Sequence, residues 1–356
     1  MGSIVIEFRP GRIFNKLKRK IKLKNPVKTE SFVRVPARIN AMVFDTATLV
    51  NPTRKGVYSA GELLFSAKLY TFARVKLVKG SKILVDKATK RKSIVLHTAI
   101  VMKKTLGFKL GLEIEANNLY DYPHCGFGSS AAVQIAVAMA INDIFGNPLS
   151  PEELMKLLSQ NYGEEIEGES NRLIHVQSNG GGLAAALYKG GMIVLAGEGI
   201  VILRKPIPNN YSFVFGIPKS YRPFDAKTMM KKEERVFSDM KRASELNAKD
   251  LAWIILHKLL PALAEQRLFD IGECINTKFK TGSLENDSKL WPELMEKMKL
   301  LKIFRCSSTP IISYSSCGPA IFALTSNPAR VKEIFRKAGL NIFAAEADND
   351  GAIFSG

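Results

Sequence analysis

Between residues 33 and 44 apolar side chains recur at the two-residue spacing of a strand with a buried face. Residues 63–78 and 93–102 add further β-rich or mixed stretches, and 99–106 could instead open a helix leading to a strand at 111–115. The run after Ser130 is Ala-rich and free of Pro and Gly until Gly146, which predicts a helix over 129–145. Ser150-Pro151-Glu152-Glu153 supplies an N-cap, Pro at the first position and early acids, so a second helix starts there. Glycines at Gly180–Gly182 and Gly190-Gly191 then bound 183–189 and suit a strand–turn–strand. The best linker runs from Arg204 to Asn210. Beyond it the pattern predicts a strand at 211–215, helices at 229–244 and 248–263, and a helix at 329–338. Two apolar arms within 311–324 flank Ser315-Ser316-Cys317-Gly318-Pro319, and a short strand falls at 341–345. Strands followed by helices in each half predict an α+β architecture rather than a doubly wound parallel sheet. No internal repeat is visible. The expected division is a basic extension over 1–30, a first domain over 31–204 and a second over 205–356.

Length and composition narrow the class. A chain of 356 residues with 46% hydrophobic and 24% charged side chains can bury two lobes. The longest apolar runs, 131–141 and 254–263, are too short or too interrupted to cross a bilayer. The first residues lack the apolar core and cleavage site of a secretion signal. Cys125, Cys274, Cys306 and Cys317 show no C-x-x-C pairing, so the expectation is a cytoplasmic chain with reduced thiols. The net charge of +19 is uneven: residues 1–30 hold nine Lys/Arg against two Glu. There Lys and Arg alternate with Leu and Ile over 14–29, as in an exposed strand or partly ordered extension ended by Asn25-Pro26. Such a charge suits a hot environment or a phosphorylated small-molecule substrate, and nucleic acid is the less favoured partner.

The candidate chemistry centres on residues 122–132, Tyr-Pro-His-Cys-Gly-Phe-Gly-Ser-Ser-Ala-Ala. Glycines let the backbone turn its N–H groups inward, and two hydroxyls stand where the helix begins. The first turn of a helix carries unpaired donors and the positive end of the dipole, so the junction can hold a phosphate. A tight turn with a serine cap would use the same residues. The loop has neither the Gly-Lys-Ser/Thr ending nor the Gly-x-Gly-x-x-Gly of the two common phosphate loops. A side chain at Gly128 is expected to fill the space that the anion needs.

Three separated blocks resemble the motifs of the GHMP kinase superfamily, in the right order. They are Val35-Pro36-Ala37-Arg38-Ile39-Asn40, the stretch Pro123-His124-Cys125-Gly126-Phe127-Gly128-Ser129-Ser130-Ala131-Ala132, and Ser315 to Phe322. The resemblance implies a two-domain fold, with a first domain like ribosomal protein S5 domain 2 and a ferredoxin-like second domain. A finer similarity is to the β-ribofuranosylaminobenzene 5′-phosphate synthase branch, through His124, Pro261-Ala262-Leu263-Ala264-Glu265, Ser315–Pro319, Gly190-Gly191 and the spacing of Asp45. That branch joins phosphoribosyl pyrophosphate to 4-aminobenzoate or 4-hydroxybenzoate, releasing CO2 and pyrophosphate, in methanopterin-type cofactor synthesis. Two departures stand out. Gly128-Ser129-Ser130-Ala131-Ala132 is the kinase-like form of the loop, and the branch's Arg- and Gly-rich stretch is reduced to Arg54-Lys55-Gly56.

Many kinases of the superfamily carry an Asp seven or eight residues before the Gly matching Gly190; here that count reaches Leu183 or Gly182. Neither side chain can accept a proton. The first reading is therefore a pentosyltransferase using phosphoribosyl pyrophosphate and Mg2+. The second is an ATP-dependent kinase, and the third an inactive ligand-binding paralogue with a basic arm. A homodimer is possible in each.

The residues assigned by this reading are Arg38 for anion contact, Asp45 for metal or cation stabilisation, and His124 as phosphate donor or proton relay. Gly126, Phe127, Gly128, Ser129 and Ser130 form the phosphate loop. Ser315, Ser316 and Gly318 form a second turn facing it across a cleft. Each has a structural alternative: a strand-end arginine, a turn-forming aspartate, a packed histidine, a hairpin. Glu164, Glu165, Glu167 and Glu169 could bind Mg2+, but their crowding suits a solvated helix end better. Lys219, Arg222 and Lys227 could cover the substrate or form a basic loop. Cys125 and Cys317 have no visible paired base, and His97, His175 and His257 read as structural.

Overall fold

The computed structural model describes residues 6–23, 25–45, 60–120, 122, 124–166, 169, 171–176, 178–280 and 283–355; Arg54-Lys55-Gly56 lies outside them. Fourteen strands and ten α-helices are assigned among the described residues. The first domain contains β1 (Glu7–Phe8), β2 (Glu30–Val43), β3 (Glu62–Val78), β4 (Ile83–Val85), α1 (Lys92–Leu106), β5 (Gly111–Asn118), α2 (Ser129–Ile144) and α3 (Pro151–Gln160). It continues with β6 (Gly163–Glu165), β7 (Leu173–His175), α4 (Gly181–Leu187), β8 (Met192–Leu195) and β9 (Val201–Lys205). The second domain holds β10 (Ser212–Pro218), α5 (Ala226–Ile254), α6 (Leu260–Ala264), α7 (Leu268–Lys280), α8 (Ser283–Leu290) and α9 (Glu293–Leu301). After these come β11 (Ile311–Tyr314), β12 (Ile321–Thr325), α10 (Pro328–Lys337) and β13 (Leu340–Glu346); β14 (Ile353–Ser355) ends the chain's described part. The fold is α+β, as the sequence pattern predicts.

The long hairpin β2–β3 is the backbone of the first sheet, ordered β14-β2-β3-β5-β4, with β8 and β9 continuing from the start of β3. Irregularities between Val35 and Ala37 and between Asn40 and Met42 re-aim the strand. One face packs under α1, α2, α3 and α4 through Val33, Val35, Ala73, Val75, Leu112 and Ile114. The other face, at Ala37, Ile39, Leu63, Phe65 and Ala67, meets the second domain.

The second sheet is antiparallel, ordered β11-β12-β10-β13. Its β-α-β-β-α-β connectivity is ferredoxin-like. Period two explains why both of its faces are apolar. Phe213, Phe215, Ile217, Phe322 and Leu324 face the first domain, while Val214, Ile312, Tyr314, Ile321 and Ala323 face α5, α8, α9 and α10. The two domains therefore share one sheet-on-sheet core, and β14 returns from the second half to pair with β2.

Three expectations change. Residues 92–106 form one helix and not a strand, and 181–187 form α4 in place of a strand–turn–strand. The helices expected at 229–244 and 248–263 form one long helix through Ile254, followed by a π-helical turn over Ile255–Leu259 and then α6. Gly190-Gly191 clears the returning chain: a Cβ at Gly190 would stand 2.5 Å from Asp348 Oδ1, and Gly191 N–H donates to the Asp348 carbonyl at 2.6 Å.

The basic extension is not an exposed strand. Among its described residues, Glu7–Phe8 pairs antiparallel with β7, and residues 9–23 form an irregular strap, three of whose backbone donors go to side chains. Gly11 N–H donates to His97 Nδ1 at 2.9 Å, Phe14 and Asn15 N–H to Asn161 Oδ1, and Arg19 pairs with Glu153 at 2.8 Å. Phe8 is buried, and Phe14 stacks on His175 at 3.9 Å. Among the described residues, no helix is long and apolar enough to cross a membrane.

His97 makes this strap sensitive to acid. Its Nδ1 accepts from Gly11, so Nε2 carries the proton and donates to the Asn161 carbonyl at 2.6 Å. Burial holds its pKa down at about 4, from an ordinary 6.5. The native ring stays neutral while the unfolded ring protonates below 6.5. The contribution to stability is therefore complete above pH 6.5 and is lost as pH falls toward 4. By pH 5 the loss from this group is about 2 kcal/mol. Denaturant melts from pH 7 to 5 should show a steeper fall for the native chain than for His97→Gln; parallel slopes would contradict this.

Candidate functional site

The loop before α2 is wound by left-handed residues: His124 (φ 54°), Gly126 (φ 95°) and Gly128 (φ 64°). Gly128 is the N-cap of α2, so the N–H groups of its first turn open toward the cleft. Phe127 contributes its backbone only. Its ring is buried against Phe215 at 5.2 Å and Phe343 at 5.8 Å, which pins the loop to the second sheet. Truncation to Ala would cost about 3–5 kcal/mol.

The second turn does not face the first across an open gap; the two interlock. A Cβ at Gly126 would lie 2.2 Å from the Ser315 carbonyl, and one at Gly318 would lie 2.3 Å from the Cys125 carbonyl carbon. Ser315 is fully buried: its hydroxyl donates to the Gly126 carbonyl at 2.7 Å and accepts from Asn40 N–H at 3.0 Å. Ser316 N–H donates to the Asn40 carbonyl at 3.1 Å. Ser315 is thus a joint among three motifs, while Ser316, Cys317 and Gly318 line the cleft.

The open cleft beside these turns has a volume of about 150 Å³ and is lined by Arg38, Tyr122, His124, the loop from Cys125 to Ser130, Tyr162, Glu164 and, from α5, Met229. It brings together Arg38, His124, the phosphate loop and the second turn. Asp45 is not among its lining residues; at the end of β2 it accepts a hydrogen bond from Ser244 Oγ at 3.3 Å. Nor do Lys219, Arg222 or Lys227 line it: Arg222 donates to the Lys219 and Tyr221 carbonyls, and Lys227 pairs with Glu7 at 3.0 Å. Burial pushes the Cys125 thiol up to about 12, which fits the absence of a nucleophilic role.

The acidic segment is a strand pair rather than a helix end. Glu164 turns into the cleft from β6 and accepts from Ser130 Oγ at 2.6 Å and from the Tyr162 hydroxyl. Glu165 caps α1, accepting from Ser93 N–H at 2.6 Å; Glu169 pairs with Arg172, and Glu167 lies outside the described residues. The strap supports this arrangement. Its β1 completes the sheet β1-β7-β6, and Phe8 packs so closely on Gly163 that a Cβ there would stand 2.6 Å from the ring.

Two further groups escape a reading of the sequence. Glu62, fully buried at the start of β3, pairs with Arg38 at 3.2 Å and accepts from Asn40 Nδ2. Burial raises its pKa, and the Arg38 guanidinium opposes that shift. A carboxylate inside the apolar run Gly61-Glu62-Leu63-Leu64-Phe65 was the available signal. Arg91, at the N-cap of α1, donates to Ser129 Oγ at 2.8 Å and Ser130 Oγ at 2.5 Å. Within Lys90-Arg91-Lys92 it looked like ordinary surface charge.

Among the described residues, no cluster of three or more His, Cys, Asp or Glu side chains could hold a metal. The Ser130 hydroxyl and Glu164 carboxylate nevertheless are hard oxygen donors of the kind Mg2+ takes when phosphate and water complete its shell.

Residues 93–190 match the family "GHMP kinases N terminal domain". The matched segment runs from α1 through α4 and includes the loop before α2. Beta-ribofuranosylphenol 5′-phosphate synthase of Methanothermobacter thermautotrophicus is 23% identical over 223 residues, 57% of this chain and 60% of the relative. Homoserine kinase of Buchnera aphidicola subsp. Acyrthosiphon pisum is 28% identical over 207 residues, 57% of this chain and 58% of the relative. The chain thus spans about three fifths of the length of these curated relatives. Homoserine kinase from Cytophaga hutchinsonii superposes with a TM-score of 0.62 at 17% identity, over 93% of this chain and 99% of that one. The MDDEF complex with MVAPP, AMPPCP and magnesium gives 0.60 at 15% identity, over 92% and 99%. These likenesses establish the fold.

The glycines of the loop are not equivalent. A Cβ at Gly128 would meet Arg38 Cβ at 3.7 Å and Gly182 Cα at 4.0 Å, both ordinary contacts, so the left-handed φ is the cost to folding there. Gly128→Ala should lose about 1–2 kcal/mol. Gly126→Ala should lose more, because backbone blocks its Cβ as well. Chemical denaturation of both variants checks the order, and equal losses would contradict the interlocked turns.

Proposed function

We propose that this chain is a GHMP-fold pentosyltransferase that joins phosphoribosyl pyrophosphate to 4-aminobenzoate or 4-hydroxybenzoate. The observation that carries the reading is the start of α4. Gly181 and Gly182 bring no side chain to the cleft, and a Cβ at Gly181 would stand 1.4 Å from Glu62 Oε1. The space of an acidic side chain is thus filled by a buried carboxylate already engaged with Arg38. A fully buried Glu62 cannot reach a substrate hydroxyl. Phosphorylating an alcohol requires that proton to leave; decarboxylative pentosyl transfer does not.

The electron balance fits such a site. The ribosyl C1–O bond breaks and its electron pair departs with pyrophosphate. The ring carbon bearing the carboxylate bonds to C1, and CO2 leaves its own bonding pair in the ring. No oxidant or external base is consumed. Within this scheme the N–H groups at Gly126–Ser130 and the Arg38 guanidinium hold the departing charge, and His124 donates to it. Glu164 and Ser130 would hold Mg2+, which when bound neutralises the diphosphate. Met229 and Tyr122 give the cleft an apolar border against which an aromatic acceptor can lie.

The second reading is an ATP-dependent kinase, favoured by the similarity to homoserine kinases and by the paired oxygens of Ser130 and Glu164. The two separate by product. Purified protein with Mg2+, phosphoribosyl pyrophosphate and 4-aminobenzoate should release pyrophosphate and CO2 in equal amounts and form no ADP from ATP and homoserine. ADP formation without pyrophosphate release would overturn the proposal.

A further inference from the structure

Arg91 has a place in the site that the scheme above leaves unused. Its guanidinium forks onto the hydroxyls of Ser129 and Ser130, the first two residues of α2. Ser130 in turn donates to Glu164, whose carboxylate stands 3.9 Å from Arg91 Nη1. The Tyr162 hydroxyl fixes the other Glu164 oxygen, and burial beside that carboxylate keeps the phenol neutral. Arg91 is itself held from behind. It is the N-cap residue of α1, and the Glu165 carboxylate ties the next backbone donors, those of Ser93 and Ile94. With its side chain 17% exposed, it cannot swing freely into solvent.

A fixed cation therefore stands against the same hydroxyl and carboxylate oxygens that a divalent ion would use. We propose that Arg91 is a built-in counter-cation of the phosphate cradle, binding a diphosphate without metal and competing with Mg2+ for Ser130 and Glu164. This rests on the reading that the loop holds phosphate. A guanidinium suits the role because it stays charged and presents two parallel donors to neighbouring phosphate oxygens. Mg2+ entering at Ser130 and Glu164 must first displace one arm of that fork. The residue is a positioning and anion-binding group, separate from Arg38, which approaches from β2 and pairs with Glu62.

The test uses inorganic pyrophosphate as the probe, with binding measured by calorimetry on the full chain, with and without Mg2+. The native protein should bind pyrophosphate in the presence of chelator. Arg91→Met should weaken that metal-free binding by about tenfold or more. In the same variant the Mg2+ concentration giving half-maximal pyrophosphate binding should fall, because the competing cation is gone. Arg91→Lys, which keeps the charge but loses the fork, should lie between the two and serves where the Met variant fails to fold. Unchanged metal-free affinity together with an unchanged Mg2+ requirement in either folded variant would overturn the role of Arg91 alone. Absence of pyrophosphate binding to the native chain, even with Mg2+, would overturn the phosphate cradle itself, and this proposal with it.

Discussion

Two glycine-bearing turns, one from each domain, occupy each other's space. Gly126 lies against the backbone of Ser315 and Gly318 against that of Cys125, at separations that leave no room for a Cβ. This contact sets the geometry of everything around the cleft. It lets the buried Ser315 hydroxyl bond the first loop and the β2 backbone at once. It also holds the N-terminal turn of α2 at a fixed distance from Arg38. The shared apolar core beneath, with Phe127 set between Phe215 and Phe343, keeps the turns pressed together. A phosphate cradle needs backbone donors that do not reorganise when charge arrives, and this joint supplies that rigidity.

The electrostatics follow from the same economy of space. Because α4 begins with glycines, the carboxylate nearest Arg38 comes from β3 and is sealed from solvent. The exposed side of the guanidinium is free for a ligand while its other side is compensated. Opposite it, Glu164 is presented by a strand of three residues that owes its position to β7 and the N-terminal strap. The basic extension is therefore part of the scaffold of the cleft. Its strand β1 is the far edge of the sheet whose near edge carries Glu164.

Much of this was legible in the sequence. The Ala-rich run announced α2, the N-cap Ser150 with Pro151 and early acids announced α3, and the two apolar arms around Ser315–Pro319 announced β11 and β12. The order of the three motifs, two of them glycine-bearing, carried the fold. What escaped had no periodic signal. Glu164 sits on too short a strand to alternate, so clustered acids looked like a solvated helix end. The Lys/Arg–Leu/Ile alternation of the strap imitated a strand, although residues 14–23 form none and the Phe14 and Asn15 donors go to the Asn161 side chain. Glu62 and Arg91 reach the site from positions 24 and 38 residues away from Arg38 and Ser129, and only folding brings these pairs together. Asp45, chosen on spacing, stands beside Ser244 just past the end of β2 and outside the lining of the cleft.

The central claim is that the loop and the second turn form one preorganised anion cradle. Hydrogen exchange of the native chain, with and without saturating pyrophosphate, tests it most directly. The account predicts added protection at the amides of Gly126–Ala131 together with those of Ser316–Gly318, since one ligand orders both sides of the joint. Protection confined to another part of the surface, or absent from the first turn of α2, would contradict it.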